Sequence, residues 1–330
     1  MENKPVPPNI RIWQLGLGFA NSNVMIALVK TGVIEQLRET PKTLEQLSSE
    51  CKLHSNMLFR TLRFAAAIEI ISLDNDRYSL TETGRLMLKD VPGSVYGGLT
   101  LFGFEPWQKS WNNLVHSLVT GEPAFNNANG SSLWEFLDHH PEYGLAFDQW
   151  MTTLSTMISK IIPEAYDFSD CNTVCDIGGG QGLLLKGILT ANPDLSGILF
   201  DLETVVKNNL LDDFSARVKI IAGSFFESVP SADVIIMKTI IHDWDDQKSL
   251  LILNSCKKSM RTGTKLLLIE RVIENNNDYS GFFYDLHMQV MVGGKERSEN
   301  EFKILFEKAG LKLNRIIPTK SPLKIIEVTL

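Results

Sequence analysis

Residues Thr173–Gly182 read TVCDIGGGQG, and the rest of the 330-residue chain is arranged around them. The β-branched and apolar run Thr173–Ile177 reads as a buried strand. Gly178, Gly179, Gly180 and Gly182 follow within five residues, and Leu183–Ala191 then places apolar residues at helical spacing. Strand, glycine turn and helix bring a backbone against a nucleotide-like ligand. Glycine serves there because the turn needs positive φ and a Cβ would block the approach. The spacing is not the G-x-G-x-x-G of a dinucleotide site. It runs Asp176-x-Gly178-x-Gly180-x-Gly182, with a carboxylate two residues before the first glycine. An acid at that point suits a cationic ligand end better than a pyrophosphate, and the amino group of S-adenosylmethionine is such an end. The glycines alone also fit an ordinary tight turn, so the reading needs support elsewhere in the chain.

That support begins with rhythm. From residue 172 onward the pattern predicts strands at Thr173–Ile177, Gly197–Asp201, Val218–Ala222, Val234–Lys238, Lys265–Glu270, Leu311–Ile316 and Lys324–Thr329. Helices fall between most of them, notably Asp246–Met260, Phe282–Val292 and Glu299–Ala309. Such alternation means a parallel sheet with helices on both faces. Only Ile317–Leu323 joins the last two strands, too little for a crossover helix, so they should form an antiparallel hairpin. The expected fold class is α/β: a seven-stranded, doubly wound (Rossmann-like) methyltransferase sheet with an N-terminal helical, winged-helix dimerisation domain. The expected domains are 1–95 for dimerisation, 96–165 as a helical linker and substrate wall, and 166–330 for binding S-adenosylmethionine.

The N-terminal part has its own rhythm. Residues 10–40 read as apolar helix broken at Gly32, and a helix this apolar at a terminus often packs on a second chain, so a homodimer is expected. Thr43 and Gln46 form a capping box that opens a short helix, Met57–Ala67 a second one, and Ile71–Leu80 a hairpin around Asp74-Asn75-Asp76. Helix, turn, helix and hairpin make a winged helix, a fold that often reads DNA. Residues 41–90, however, hold seven Lys and Arg against seven Asp and Glu. That balance lacks the electrostatic footprint of nucleic-acid binding, as does the net charge of −7. The opening MENKPVPPN has no apolar signal region, and no apolar run reads as long enough to span a bilayer. Cys51, Cys171, Cys175 and Cys256 complete no zinc pattern and read as reduced thiols, giving a cytoplasmic expectation.

Residues 95–165 are helical and rich in aromatics. Phe147, Trp150, Met151 and Leu154 share one helix face that reads as core, with Asn126–Ser132 as a loop. Some of these rings, Trp150 among them, are candidates to wall a flat substrate.

The chemistry-bearing residues sit at strand ends. Asp201 closes the second strand about 20 residues past the glycine turn, where an acid accepts hydrogen bonds from ribose hydroxyls. Ser224 and Phe225 follow the third strand, where an aromatic can stack on a purine. Lys238 ends the fourth strand, and His242-Asp243-Trp244 lies just beyond it. In doubly wound sheets ligands bind past the carboxyl ends of the strands, so His242 stands on the same side as the glycine turn. A histidine near neutrality suits removal of a proton from a hydroxyl, whose oxygen then attacks a sulfonium methyl in line. Glu270, at the end of the fifth strand, and Glu296, in Gly293-Gly-Lys-Glu296-Arg297, are the carboxylates able to orient the imidazole. Trp244, Met288 and Met291 are further candidate pocket walls, though methionines at such positions equally serve as core.

DIGGGQG, FDL, SVPSADVIIMK, HDW and DLHMQVMVGGKERSENEF occur here in that order. Together they resemble the plant-type small-molecule O-methyltransferases, the group of the caffeate, flavonoid, hydroxyindole and bacterial phenazine enzymes. The resemblance is strong over about residues 170–310 and looser over 41–90. It implies His242 as general base, Glu270 and Glu296 as its flanking acids, and Gly178, Asp201, Phe225 and Lys238 at the cofactor. It also implies a homodimer formed through the N-terminal part. One position departs: Gly223-Ser224-Phe225 stands where the family usually has Gly-Asp-Met, so the acid that normally holds the adenine amine is a serine.

The expected function is thus an S-adenosylmethionine-dependent O-methyltransferase acting on a flat, hydroxylated, aromatic small molecule, with no metal, no nucleic acid and no membrane among its partners. The alternative is a cofactor-binding member of the same fold doing decarboxylation or a rearrangement. A DNA-binding regulator is disfavoured by the charge count. A metal-dependent catechol methyltransferase is disfavoured because Asp243, Asp245 and Asp246 cannot all face one way at the start of a helix. A nicotinamide dehydrogenase is disfavoured by the glycine spacing.

Overall fold

The computed structural model describes residues 6–274 and 277–330. It divides into two compact units, one of Met1–Gln108 with Leu145–Trp150, the other of Lys109–Gly144 with Met151–Leu330.

The first unit opens with helices Pro8–Gly16, Gly18–Lys30 and Val33–Gln36, broken at Gly32, which sits in the left-handed region at φ 76°. The span Pro8–Lys30 corrects the expectation about apolar runs. By length and composition it is apolar enough to cross a membrane, and 17% of the qualifying window is buried. Polar residues such as Gln14, Asn21 and Asn23 interrupt the run without lowering its mean hydropathy enough. Ile12, Trp13, Leu15 and Phe19 on it are exposed. Thr43 and Gln46 form both bonds of the expected capping box ahead of helix Leu44–Glu50. Helix Ser55–Ala67 and strands β1 (Ile71–Asp74) and β2 (Arg77–Leu80) complete the winged-helix order. Asn75 and Asp76 take positive φ in the two-residue turn, which only short polar residues or glycine do readily. Leu47, Leu58, Leu62, Ile71 and Tyr78 pack together beneath.

The second unit holds the sheet. Its strands are β3 (Thr173–Ile177), β4 (Ser196–Asp201), β5 (Val218–Ala222), β6 (Val234–Lys238) and β7 (Lys265–Glu270). The short pair β8 (Val272–Ile273) and β9 (Arg297–Ser298) stands apart from them. The sheet ends with β10 (Lys312–Ile317) and β11 (Lys324–Thr329). The order is β10-β11-β7-β6-β3-β4-β5. β3 to β7 are parallel, while β11 pairs antiparallel with both β7 and β10, as the short connection predicted. β3, β6 and β7 are almost wholly buried, and their Val, Ile and Leu side chains feed two apolar clusters, one on each face. The strand order reverses beside β3, so the crevice past its carboxyl end is where a ligand belongs in such a sheet.

Helix Leu183–Ala191 follows the glycine turn and buries Leu184, Leu185, Ile188 and Leu189. Gly187 lies against helix Pro141–Ala165 so closely that a Cβ would run into the Ser159 carbonyl oxygen. Gly187→Ala is therefore expected to push the two helices apart and destabilise the protein by about 1–3 kcal/mol, read as a shift in the denaturant midpoint.

Two helical expectations change. Ala124–Asn129 is a helix and only Gly130 begins the loop, because Ala124 and Phe125 are fully buried and anchor a turn that the polar sequence Asn126-Asn-Ala-Asn129 hides. Phe147, Trp150 and Met151 are only half-buried and Leu154 is exposed, so their shared face is not core; on that helix the buried side chains are Ile158 and Ile162.

Candidate active site

The glycine turn forms as its spacing requires. Gly178, Gly180 and Gly182 take φ of 65°, 59° and 84°. At Gly178 a Cβ would collide with Ile240, whereas a Cβ on Gly180 would meet nothing within 4 Å, so the turn borders open space there. Asp201, at the end of β4, accepts the Gly180 amide at 2.8 Å and the Leu202 amide at 2.7 Å, tying the glycine turn to the neighbouring strand. Asp176 is buried in β3, and its Oδ2 has no hydrogen-bond partner. Burial pushes its carboxyl up to about 7, against the opposing pull of Lys238. Lys238 itself is held below the usual lysine range by burial, and its Nζ donates to Thr239 Oγ1 at 3.0 Å. Phe225, Phe226 and Trp244 form an aromatic cluster, Phe225 edge-on to Phe226 at 4.9 Å and to Trp244 at 6.2 Å. Ser224 Oγ accepts the Phe226 amide at 3.3 Å.

His242 follows β6 in a single 3₁₀ turn, Ile241–Asp243. Its Nδ1 lies 2.9 Å from Glu296 Oε1, and its Nε2 lies 3.4 Å from Asp243 Oδ1. Glu270, at the end of β7, is completely buried and accepts the amides of Ile240 and Ile241 on Oε1 at 3.0 and 2.9 Å. The acid that ends one strand thereby fixes the start of the turn that carries the histidine. Glu270 Oε2 and Glu296 Oε2 are buried without a partner. His242, Glu270 and Glu296 bring one ligating atom each within 4.8 Å of one another. Burial opposes a charge on His242, but Asp243, Glu270 and Glu296 outweigh it and push the imidazole up to about 10. Burial pushes Glu270 up to about 7 and Asp243 up to about 6.

Several contributors were not visible in the sequence. Arg297 is entirely buried and reaches Ile241 O at 3.1 Å, Trp244 O at 3.0 Å, Asp246 Oδ1 at 2.8 Å and Ser249 Oγ at 3.2 Å. It thus clamps both ends of the histidine turn. Asp285 accepts the Glu296 amide at 3.0 Å. Thr152 donates to Gln181 Oε1 at 2.8 Å inside the glycine turn. The sequence carried no signal for Arg297, since an arginine between Glu296 and the capping Ser298 reads like any surface arginine beside a helix start. The three aspartates weighed as metal ligands diverge. Asp243 faces His242, Asp245 caps helix Asp246–Ser259 by accepting the Lys248 amide, and Asp246 pairs with Arg297.

The candidate pocket residues scatter. Trp244 belongs to the aromatic cluster, and its ring centroid lies 6.3 Å from that of Trp134. Met291 is 1% exposed and is core; Met288 is half-buried on the same helix, Tyr279–Met291. Trp150 lies in the first unit with its ring against Gly97 and Gly98, where the lack of Cβ atoms makes room for it.

Residues 111–312 match the O-methyltransferase domain model and residues 13–90 the O-methyltransferase dimerisation domain. The chain belongs to this family. The phenazine O-methyltransferase PhzM of Lysobacter antibioticus is 33% identical, with 98% of this chain and 96% of that protein aligned. The solved mitomycin 7-O-methyltransferase superposes with a TM-score of 0.93 at 32% identity, covering 97% of both chains. An O-methyltransferase of neocarzinostatin biosynthesis, solved with S-adenosylmethionine and 2-hydroxy-5-methyl naphthoic acid, gives a TM-score of 0.83 at 30% identity, covering 94% of this chain and 96% of the other. This chain is accordingly an S-adenosylmethionine-dependent O-methyltransferase with a seven-stranded sheet, and its dimerisation domain supports a homodimer. Relatives of this O-methyltransferase act on aromatic secondary metabolites.

Proposed function

We propose that His242 of this O-methyltransferase removes the proton from a hydroxyl of a flat aromatic substrate. The observation that carries this reading is the imidazole held between Glu296 and Asp243 just past the end of β6, with Glu270 anchoring its turn. S-adenosylmethionine, when bound, supplies the electrophilic methyl. The protein side fits that cofactor: an open glycine turn, a buried Asp176 with an orphan carboxylate oxygen, and Asp201 at the end of the next strand. Asp176 would hold the ammonium end, Gly178 and Gly180 the backbone approach, and Asp201 the ribose. Ser224, Phe225 and Lys238 would complete the site, with Phe225 and its aromatic neighbours compensating for the missing acid at 224 by stacking. Trp244 and Met288 remain the pocket walls proposed; Met291 does not, since it is core.

The carboxylates have a definite task. Glu296 on Nδ1 fixes the ring and stabilises the imidazolium formed when His242 takes the substrate proton. No metal is proposed, because methyl transfer from a sulfonium to a deprotonated oxygen needs no Lewis acid. Residues 1–95 would serve dimerisation, 96–165 the substrate wall and 166–330 the cofactor, in a cytoplasmic enzyme without nucleic-acid or membrane partners. The exposed apolar side chains of Pro8–Lys30 would then be covered by the second copy.

Because its neighbours hold the resting imidazole up to about 10, His242 starts protonated at neutral pH. An added positive charge nearby lowers such a pKa. His242 is therefore expected to release up to about one proton at pH 8 when S-adenosylmethionine binds, and far less with S-adenosylhomocysteine, which lacks the sulfonium charge. Calorimetric titration in buffers of different ionisation enthalpy counts that proton. Incubation with a labelled methyl donor and a panel of hydroxyarenes tests the reaction itself; no ether product from any of them, with cofactor binding intact, would favour decarboxylation or rearrangement instead.

A further inference from the structure

Six non-glycine positions take positive φ among the described residues, and Thr239, at 52°, is the one β-branched residue of the six. The other five, Lys52, Glu69, Asn75, Asp76 and Asp90, lie in the first unit. A β-branched side chain in the left-handed region crowds its own backbone, so a chain under no other demand would place glycine or asparagine there. Thr239 cannot relax, because the chain is held at two successive amides. Its own amide donates to Ile269 O at 3.0 Å, and that of Ile240 donates to Glu270 Oε1 at 3.0 Å. Strain that persists beside a functional site points to a task for the side chain.

That side chain makes two bonds. Its hydroxyl donates to the Lys238 carbonyl oxygen at 2.7 Å, which leaves the lone pairs of Oγ1 to accept from Lys238 Nζ at 3.0 Å. Three carboxylates draw on the Lys238 ammonium, Asp176 most strongly, then Glu270 and Asp243. None of the three forms an ion pair with it among the described residues; the neutral hydroxyl is its partner. Asp176 Oδ2 meanwhile stays buried and unpaired. A lysine stem is flexible, and a buried ammonium released from its hydroxyl would move onto the carboxylate that attracts it most.

We propose that Thr239 is a positioning residue for the cofactor: its hydroxyl holds the Lys238 ammonium off Asp176, which keeps that carboxylate for the ammonium end of S-adenosylmethionine, and the left-handed backbone places the hydroxyl there. The inference rests on the reading of Asp176 as the group that meets the cofactor's ammonium.

The test compares two ligands. S-adenosylhomocysteine carries the ammonium end, and methylthioadenosine lacks the amino-acid end altogether. Calorimetry gives Kd for both with the wild-type enzyme and its variants. Thr239→Val keeps the branch without the hydroxyl. It should weaken S-adenosylhomocysteine by about tenfold, since the ligand must first displace the lysine, and methylthioadenosine by less than about twofold. Thr239→Ser should bind both as wild type does. In the Lys238→Met background Thr239→Val should cost nothing further, because the ammonium it restrains is gone. Thr239→Gly and Thr239→Ala both lack the hydroxyl, but glycine sheds the strain, so its thermal midpoint should be higher by roughly 2–4 °C. Unchanged binding in Thr239→Val, equal weakening of both ligands, additive losses in the double variant, or a glycine variant that melts no higher than alanine would each overturn the proposal. Asp176→Asn separates it from the reading beneath. Unchanged affinity of Asp176→Asn for S-adenosylhomocysteine would sink both, whereas a loss there without one in Thr239→Val would sink this proposal alone.

Discussion

Replacing His242 by alanine is expected to lower kcat by about a hundred- to ten-thousandfold, with affinity for S-adenosylmethionine changed by less than about threefold. On the mechanism proposed, the imidazole held between Glu296 and Asp243 takes up the substrate proton. The pH profile carries the sharper information. Asp243, Glu270 and Glu296 raise the imidazole, so its neutral, proton-accepting form grows as pH rises, and wild-type kcat/KM should climb on the alkaline side of neutrality. In His242→Ala the residual rate should instead follow ionisation of the substrate, near pH ~10 for a simple phenol. A variant whose profile and rate match wild type would remove His242 from the reaction. Glu296→Gln keeps a hydrogen-bonding group at Nδ1 but not the charge, so its loss should be smaller and its pH profile shifted to lower pH.

The second large effect concerns stability. Arg297→Met is expected to destabilise the second unit by about 3 kcal/mol, lowering the thermal midpoint by roughly 10 °C. The guanidinium satisfies the carbonyls of Ile241 and Trp244 from a position with no exposure to water. A methionine fills similar volume but leaves those acceptors buried and unpaired, which is where the cost arises. Part of the ion pair escapes penalty, because the Asp246 side chain is 46% exposed and Lys295 lies 3.5 Å away. Arg297→Lys should rescue little, since one ammonium cannot reach all the acceptors that the planar fork spans. Calorimetry at a fixed scan rate measures the shift; a midpoint within about 2 °C of wild type would mean that the turn holds itself.

The sheet could be read from the chain because each of its signals is local. Glycines at 178, 180 and 182 force one turn, alternating apolar runs force the strands, and the short 317–323 link forces the final hairpin. The positions of Asp201, His242, Glu270 and Glu296 were legible for the same reason: each sits at, or just beyond, a recognisable strand end or motif. What escaped depends on pairs distant in sequence. Arg297 meets Ile241 across 56 residues, and Trp111 meets His287 across 176. No periodicity marks such partners. The face of Phe147, Trp150, Met151 and Leu154 failed differently: helical spacing tells which side chains share a side, not whether anything covers it. Asn126–Asn129 failed because polar composition concealed a helix anchored by its two preceding residues.

The placement of β11 bears on how the protein is made. Residues 324–329 lie between β7 and β10, so a chain emerging from the ribosome presents Leu266–Ile269 along an edge whose neighbour has not yet been synthesised. Such an edge, apolar on both faces, is a template for pairing with other chains. Productive folding of the cofactor-binding half must therefore wait for the segment after residue 323, and nascent chains stalled before it should be the ones that chaperones hold.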